Sequence, residues 1–326
     1  MCTCIAYVDQ DFYFGRNLDL DCSFSEQVTV TPRKYLFRFH TKGEIQSHYA
    51  MIGMASVMFD YPLYAEAANE KGLCMAGLHF PGNAVYHEYR ENWDNITPFE
   101  LIPWILCQCA SVAEAEKLLK RIRLVNIPFR PDIPLTPQHW MLSDKRKSVV
   151  LEPMEDGLKI YNNPIGVLTN NPPFWYHQTN LANYMNLTAK YPENRFSQST
   201  PFAPYGQGMG ALGLPGDSSP ASRFIKAAFL KENSVCPQGE LPHVSQFFHM
   251  LDAVGMVRGS VVTQQGNYDI TTYSCCMNAS KAVYYYKTYE NNQITAVNLF
   301  QEDLNSRKLR VYPLRTHQQI YYENGE

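Results

Sequence analysis

The chain begins Met1-Cys2-Thr3-Cys4-Ile5-Ala6-Tyr7-Val8, turns at Asp9-Gln10-Asp11, and continues Phe12-Tyr13-Phe14-Gly15-Arg16-Asn17-Leu18-Asp19. The runs on either side of the turn are rich in β-branched and aromatic residues, which favour strands. The tripeptide between them has turn-forming composition. The sequence therefore predicts an N-terminal β-hairpin whose second strand carries Arg16 and Asp19.

Strand patterns recur along the chain and dominate its C-terminal part. Further strands are predicted at 28–30, 73–78, 148–151, 282–286 and 294–297, the last two joined by a turn at Asn291-Asn292. The segment 191–220 is rich in Pro, Gly and Ser and is predicted to be a long loop. Loops of this length inside a compact domain are usually functional.

Helical patterns lie between the strands. Thr97-Pro98-Phe99-Glu100 is a capping box before an apolar run through Leu106, and Ser111-Val112-Ala113-Glu114 is a second one leading into 115–122. Two more helices are predicted from Ser219-Pro220 through Phe229 and over 244–251. Strands first, helices in the middle and strands again predict an α+β layered fold, organised as one domain over residues 1–326.

Composition excludes several classes of function. Lys and Arg total 28 against 31 Asp and Glu, a net charge of −3, and this balance argues against a nucleic-acid-binding protein. The start of the chain lacks the pattern of a signal peptide, and no segment is apolar enough to insert into a membrane. We therefore expect a cytoplasmic protein whose nine cysteines are free thiols.

Cys2 is chemically special because removal of Met1 would leave a residue with both a thiol and a free α-amine. An α-amine has an ordinary pKa of about 7.7–8.0, so near neutrality it can accept the proton of the thiol. One residue would then supply nucleophile and base. Arg16 near the sulfur would favour the thiolate, and Asp19 could hold the amine; an ion pair on the surface beside the hairpin is the alternative.

These segments, together with others in the same order, resemble the choloylglycine hydrolase family, which includes bile salt hydrolases and penicillin V acylases. The resemblance extends over essentially the whole chain and is strongest to the bile salt hydrolases of Gram-positive bacteria. The further matching segments are Asn69-Glu70-Lys71-Gly72-Leu73, Phe80-Pro81-Gly82, His139-Trp140, Val167-Leu168-Thr169-Asn170-Asn171-Pro172, Leu214-Pro215-Gly216-Asp217 and Ser222-Arg223-Phe224.

The resemblance implies a four-layered αββα fold of the N-terminal-nucleophile hydrolases. It makes Cys2 the nucleophile, with its amine as acid and base, and gives Arg16 and Asp19 the tasks of tuning and positioning it. Asn170 would donate its side-chain amide to the tetrahedral oxyanion, and Arg223 would complete the polar network. A turn residue and a charge on a helix surface are the alternatives for these last two.

His79 departs from the family pattern, in which bile salt hydrolases usually carry asparagine and penicillin acylases tend to carry tyrosine. The position lends its backbone N–H to the oxyanion hole in the family, so any residue type can serve. Because the side chain borders the site and an imidazole titrates near pH 6.5, the change bears on substrate choice.

The implied reaction is hydrolysis of the amide bond of glycine- or taurine-conjugated bile acids, with no metal and no organic cofactor. Such substrates need a broad apolar wall. The segment Tyr205-Gly206-Gln207-Gly208 resembles one found in some glycine-preferring members, and the family implies a homotetramer. By matching position, the substrate-binding residues would be Leu20, Met58, Phe59, Phe129, Ile133 and Leu135.

Two other functions remain open from the sequence. The first is penicillin V acylase or N-acyl-homoserine-lactone acylase of the same family. The second is a thiol-based metal or redox protein using Cys2-Thr3-Cys4, Cys107-Gln108-Cys109 and Cys275-Cys276. Those spacings differ from the C-x₂-C pairs of common zinc sites, which weakens this reading.

Overall fold

The N-terminal hairpin forms as predicted. In a computed structural model, which describes residues 1–324, β1 (Cys2–Val8) and β2 (Phe12–Leu20) pair antiparallel around residues 9–11. Cys2 lies opposite Leu18, and Cys4 lies opposite Arg16.

The remaining elements follow along the chain. The strands are β3 (Gln27–Thr31), β4 (Phe37–Phe39), β5 (Gly43–Ile45), β6 (Met51–Met58), β7 (Tyr61–Asn69), β8 (Cys74–His79), β9 (Asp94–Ile96), β10 (Ile122–Leu124), β11 (Gln138–Ser143), β12 (Ser148–Met154), β13 (Gly157–Asn162), β14 (Val167–Leu168), β15 (Ile270–Asn278), β16 (Val283–Thr288), β17 (Asn291–Asn298) and β18 (Arg310–Pro313). The α-helices are α1 (Leu101–Gln108), α2 (Val112–Leu119), α3 (Phe174–Leu181), α4 (Pro220–Glu232) and α5 (Glu240–Asp252). Short 3₁₀ turns occur at Pro98–Glu100, Ala182–Tyr184, Met209–Ala211 and Leu299–Gln301.

Two large sheets pack face to face. One has the strand order β14-β1-β2-β15-β16-β17, and the other has the order β13-β12-β11-β8-β7-β6-β3-β18. Helices α4 and α5 cover the outer face of the first sheet, α1 covers the outer face of the second, and β1 and β2 contact β8 between the sheets. The predicted α+β, four-layered αββα fold is confirmed.

The predicted helices near residue 100 differ in detail from the structure. Thr97 does not cap α1; its hydroxyl donates to the Glu100 carboxylate at 2.6 Å, and a 3₁₀ turn precedes the helix. Ser111 does cap α2, because its hydroxyl accepts the Glu114 N–H at 3.3 Å. The prediction that this helix reaches residue 122 is wrong, because Ile122 pairs with Asp94 in a parallel strand.

The C-terminal helices and strands agree with the sequence more closely. Ser219 caps α4 as expected, its hydroxyl accepting the Ser222 N–H at 3.4 Å. The turn predicted at Asn291-Asn292 lies at residues 289–290 instead, because Thr288 already pairs with Asn291. No helix among residues 1–324 is long and apolar enough to cross a membrane.

The central position of β1 and β2 explains why their residues are almost all buried. A strand inside a covered sheet has both faces away from solvent, so it reads as a near-continuous apolar run. Arg16, Asn17 and Asp19 are fully buried within that run. Charged groups at such positions must be paired or hydrogen-bonded, which marks them for attention.

Gly15 allows the close approach of β2 and β15. A Cβ built on Gly15 would lie 2.0 Å from the backbone oxygen of Cys275, whereas one on the open Gly206 would meet no atom within 4 Å.

We expect Gly15→Ala to lower the free energy of unfolding by about 3 kcal/mol, because two backbones must separate, while Gly206→Ala leaves it unchanged. Urea unfolding of both variants tests this; equal stabilities would contradict the packing described.

Candidate active site

The sulfur of Cys2 lies between the two sheets, against the guanidinium of Arg16. Cys2 is 2 % exposed, and Arg16 Nη2 is 2.5 Å from its Sγ. The strand register explains the contact, because Cys2 lies diagonally across from Arg16 on the same face of the sheet. The guanidinium is anchored by the backbone carbonyls of Gly77, at 2.5 Å, and Ala65, at 3.4 Å.

Arg16 keeps its charge in this buried place. Burial alone would lower the pKa of the guanidinium, but the adjacent Cys2, Tyr273 and Glu66 raise it above its ordinary value. A cation at hydrogen-bond distance favours the thiolate form of a cysteine. The arrangement can therefore activate the Cys2 sulfur.

The opposite face of the hairpin carries a second charged group. Asp19 is fully buried, and its Oδ1 accepts the Thr271 hydroxyl at 2.6 Å. Its Oδ2 lies 4.0 Å from Arg223 Nη1 and has no hydrogen-bond partner among residues 1–324. Burial raises the pKa of Asp19, and Arg223 opposes that rise. Arg16 and Asp19 are therefore not the surface ion pair that the sequence left open.

Arg223 lies on α4 and donates a hydrogen bond to the backbone at Cys2. Its Nη1 donates to the Cys2 carbonyl at 2.5 Å and to the Thr3 hydroxyl at 2.6 Å, and its Nε donates to the Ser218 carbonyl at 3.0 Å. Arg223 is buried rather than a surface charge. The N-cap at Ser219 starts the helix so that Arg223 points back to β1.

Asn170 joins this network from the segment after β14. Its Oδ1 accepts the Cys2 N–H and Arg223 Nη2, both at 2.8 Å, and its Nδ2 donates to the His79 carbonyl at 2.8 Å. Donors on one side and an acceptor on the other fix the orientation of the amide. An amide has two N–H groups, so the second remains for a ligand.

His79 ends β8, and its side chain is exposed toward the cavity beside Cys2. Burial by its neighbours and the nearby N-terminal cation lower the pKa of its imidazole. The structure therefore brings all the predicted catalytic residues to one place. They are Cys2, Arg16, Asp19, His79, Asn170 and Arg223.

A cavity of about 380 Å³ opens onto the Cys2 sulfur and Arg16. This volume is within the range of small-molecule sites, roughly 300–1,000 Å³. Four of the predicted substrate-binding residues line it: Leu20, Phe129, Ile133 and Leu135. The sequence did not single out several other lining residues, among them Leu18, Phe24, Leu63, Tyr64, Phe99 and Pro134.

Met58 and Phe59, also predicted for the cavity wall, lie outside this lining. They end the hairpin between β6 and β7, where Phe59 and Asp60 both have positive φ and form a tight turn. Phe59 is 71 % exposed, with the Arg130 guanidinium 4.5 Å from its ring centre. The segment at 205–208 is likewise outside the lining, and Tyr205 is 87 % exposed.

Two groups of buried polar residues behind the site were given no role from the sequence. On the sulfur side, Glu66 receives the hydroxyls of Tyr273 and Tyr284, both at 2.7 Å. A lone carboxyl in the otherwise largely apolar strand β7 was the available signal. On the Asn170 side, His139 bridges Glu152 Oε1, at 3.1 Å, and the Thr169 carbonyl, at 2.9 Å.

The metal or redox function that the sequence left open depends on how the thiols and carboxylates are arranged. Among residues 1–324, no group of three or more His, Cys, Asp or Glu side chains is placed to hold a metal ion. All nine cysteines are free, and Cys2 and Cys4 lie in the same strand two residues apart. The geometry thus gives Cys2 an arginine, not a second thiol, as its partner.

His177 lies behind Asn170, with its Nε2 3.0 Å from the Asn170 carbonyl and its ring stacked on Phe224 at 4.7 Å. Burial lowers the pKa of this imidazole to about 4, although the hydrogen bond opposes the shift. The unfolded chain, with a pKa near 6.5, therefore takes up the proton first. Stability from this group is complete above pH 6.5 and falls as the pH drops toward 4.

We expect His177→Gln, which retains an N–H donor but cannot titrate, to remove part of this loss. Between pH 7 and pH 5 the native protein should lose about 2 kcal/mol more stability than the variant. Urea unfolding at both pH values measures the difference, with the exposed His249→Gln as the matched control. An equal loss in His177→Gln and the native protein would contradict the assignment.

Comparison with known proteins agrees with this geometry. Residues 2–312 match the linear amide C-N hydrolases of the choloylglycine hydrolase family. The bile salt hydrolase/transferase of Lactiplantibacillus plantarum (strain ATCC BAA-793 / NCIMB 8826 / WCFS1) is 49% identical over 324 residues, covering 99% of this chain and 100% of the relative. The bile salt hydrolase/transferase of Clostridium perfringens (strain 13 / Type A) is 40% identical, covering 96% of each.

Solved structures extend the similarity. The C2A mutant of conjugated bile acid hydrolase from Clostridium perfringens has a TM-score of 0.92 and 37% identity, covering 99% of this chain and 100% of that one. Penicillin V acylase from Agrobacterium tumefaciens has a TM-score of 0.77 at 18% identity, covering 98% and 94%, and so shares the fold. The chain belongs to the choloylglycine hydrolase family.

Proposed function

We propose that this protein hydrolyses the amide bond of glycine- or taurine-conjugated bile acids, with Cys2 as nucleophile. The observation that carries the proposal is the Cys2 sulfur, held at 2.5 Å from Arg16 and opening onto an apolar cavity. The two relatives described above, similar over nearly their whole length, are bile salt hydrolases by name.

The active form begins at Cys2 in this proposal. With Met1 present, its amine contacts the Asp19 carbonyl and lies 3.3 Å from Asp269 Oδ2, so acceptors for an amine already surround this position. Removal of Met1 turns the Cys2 N–H, now bonded to Asn170 Oδ1, into a primary amine. That amine can exchange a proton with the thiol of the same residue.

The reaction proceeds by acyl transfer in two halves. The Cys2 thiolate attacks the amide carbonyl, a C–S bond forms, and the oxygen becomes an oxyanion. The C–N bond then breaks as the α-ammonium protonates the leaving amine, which departs as glycine or taurine. Water, deprotonated by the α-amine, attacks the thioester, and the C–S bond breaks to release the bile acid and the thiolate.

The surrounding residues act on the charges that develop. The free N–H of Asn170 and the backbone at His79 stabilise the oxyanion, and loss of one such donor typically costs about 10²–10³-fold in rate. Arg223 holds the Cys2 carbonyl and Asn170 in register. The negative charge of Asp19 favours the α-ammonium form of the Cys2 amine.

The cavity provides the recognition of the steroid. Leu20, Phe129, Ile133 and Leu135 supply an apolar wall, while polar groups are gathered at the Cys2 end. An amphipathic amide fits this division, with its apolar body against the wall and its amide at the sulfur. Met58 and Phe59 lie at the rim in this proposal, where the Phe59 ring is in contact with Arg130.

A cytoplasmic homotetramer is part of the proposal. Its support on the surface is the segment after α3, which exposes large apolar side chains such as Met185, 85 %, and Phe196, 92 %. Exposed apolar groups concentrated in one segment favour contact with another chain.

The thioester also permits a second outcome, in which an amine replaces water as the acceptor. The relatives from Lactiplantibacillus plantarum and Clostridium perfringens carry transferase in their names. We expect taurocholate to form when glycocholate and an excess of taurine are incubated with the enzyme. Mass spectrometry of the bile acids early in the reaction, before taurocholate is itself hydrolysed, measures this product, and its absence while glycocholate is being cleaved would rule the transfer out.

The test of the main proposal is release of the amine from glycocholate, taurocholate and penicillin V offered side by side. We expect the bile salts to be cleaved faster, and Cys2→Ala to lose at least about 10³-fold of the rate because the nucleophile is gone. Cys4→Ala is the matched control, since Cys4 is buried in the same strand and on the same face. Faster cleavage of penicillin V would overturn the substrate, and an active Cys2→Ala would overturn the mechanism.

A further inference from the structure

Glu66 lies on the far side of Arg16 from the Cys2 sulfur. It is fully buried on β7, between the two sheets, and its Oε2 is 3.7 Å from Arg16 Nη1. Arg16 therefore stands between a carboxyl group and a thiol. The proposed reaction does not use this carboxyl.

The groups around Glu66 match its ionised form. Tyr284 and Tyr273 donate their hydroxyls to Oε1 and Oε2, both at 2.7 Å, and the Cys275 thiol donates to Oε1 at 3.6 Å. Every one of these contacts is a donor, and the fourth neighbour is the Arg16 cation. Burial raises the pKa of Glu66, while Arg16 and the two hydroxyls act against that rise.

Arg16 has anchors other than this carboxylate. The Gly77 carbonyl, at 2.5 Å, and the Ala65 carbonyl, at 3.4 Å, already hold Nη1, and the Asn17 carbonyl faces Nε at 3.4 Å. What Glu66 adds at 3.7 Å is its charge. That charge offsets part of the positive field that Arg16 exerts on the sulfur.

We propose that Glu66 is a positioning residue that acts through Arg16, limiting how strongly the guanidinium stabilises the Cys2 thiolate. The inference rests on the proposed role of Cys2 as nucleophile. A thiol of lower pKa gives more thiolate but a less nucleophilic one, so the best attacking thiol has a pKa near the ambient pH. Without the Glu66 carboxylate, the charge of Arg16 beside the sulfur would be uncompensated.

The other charges near Cys2 are consistent with this balance. Arg16 and Arg223 are buried cations, and the buried carboxylates of Glu66 and Asp19 face them. Cys4 of β1 lies opposite Arg16 of β2, and His79 reaches the site from β8. Asp269 forms an ion pair with the N-terminal amine. Removing Glu66 alone would leave the sulfur face with one cation in excess.

The experiment is the pH dependence of Cys2 alkylation by iodoacetamide, followed by the mass of the N-terminal peptide, in the mature enzyme and in Glu66→Gln. We expect the midpoint of the alkylation profile to fall by about one pH unit in Glu66→Gln, since a charge near the sulfur is lost. The limiting rate at high pH should fall roughly threefold, as expected for a weaker nucleophile.

An unchanged or raised midpoint would overturn the proposal. If Glu66 only held Arg16 in place, its removal would let the guanidinium move away from the sulfur, and the midpoint would rise. Tyr284→Phe is the matched control: it removes one hydrogen bond, keeps the charge and should leave the midpoint in place. If Glu66→Gln does not fold, Glu66→Asp withdraws the charge by one methylene, and a smaller fall is expected; no fall would again overturn the proposal.

The outcome is separable from that of the proposed function. Hydrolysis of glycocholate that survives in Cys2→Ala would remove Cys2 as nucleophile, whatever the alkylation profiles show. Hydrolysis lost in Cys2→Ala, with equal midpoints in the native enzyme and Glu66→Gln, would leave the function standing and overturn only the role of Glu66.

Discussion

The contact between the Arg16 guanidinium and the Cys2 sulfur is the interaction on which the rest of the site depends. An arginine cannot escape burial by losing its proton, so a buried one must be surrounded by acceptors or anions. The structure supplies them from the second sheet, as the carbonyls of Gly77 and Ala65 and the carboxylate of Glu66. Packing of the two sheets therefore also brings together the groups that hold Arg16 beside the nucleophilic sulfur.

The alternation of side chains along the hairpin divides the work between its two faces. Successive residues of a strand point to opposite sides, so Arg16 faces the second sheet while Asn17 and Asp19 face the helices. Asn17 accordingly donates to the Leu251 carbonyl of α5 at 2.8 Å. Arg16 contacts the Cys2 sulfur on one face of the hairpin, and Arg223 binds the Cys2 backbone on the other. Separate groups can therefore adjust the thiol and the amine of one residue.

The sequence predicted best what lies close together in the chain. The hairpin, Cys2, Arg16 and Asp19 fall within its first residues, and their strand pattern is clear. Asn170 and Arg223 were found only through the family resemblance, because nothing local distinguishes a turn asparagine or a helical arginine from a functional one. Roles in catalysis for all of them remain proposals that the geometry supports.

What escaped prediction depends on contacts between distant segments. Glu66 meets Tyr273 and Tyr284 only because β7 and the strands β15 and β16 face each other across the sheets. Ile122 continues the apolar spacing of a helix, yet pairing with β9 takes it into a strand. Phe59 is a large apolar residue of the kind that lines pockets, but the tight turn at the hairpin tip directs its side chain outward. Tertiary pairing overrode the local pattern in each case.

The most direct test of Cys2 as the nucleophile is to quench a reaction with glycocholate in acid and measure the mass of the N-terminal peptide. We predict a chain that begins at Cys2 and carries one cholyl group on that residue, labile to hydroxylamine as a thioester is. A fully active chain that retains Met1, or a cholyl group on any other residue, would contradict it.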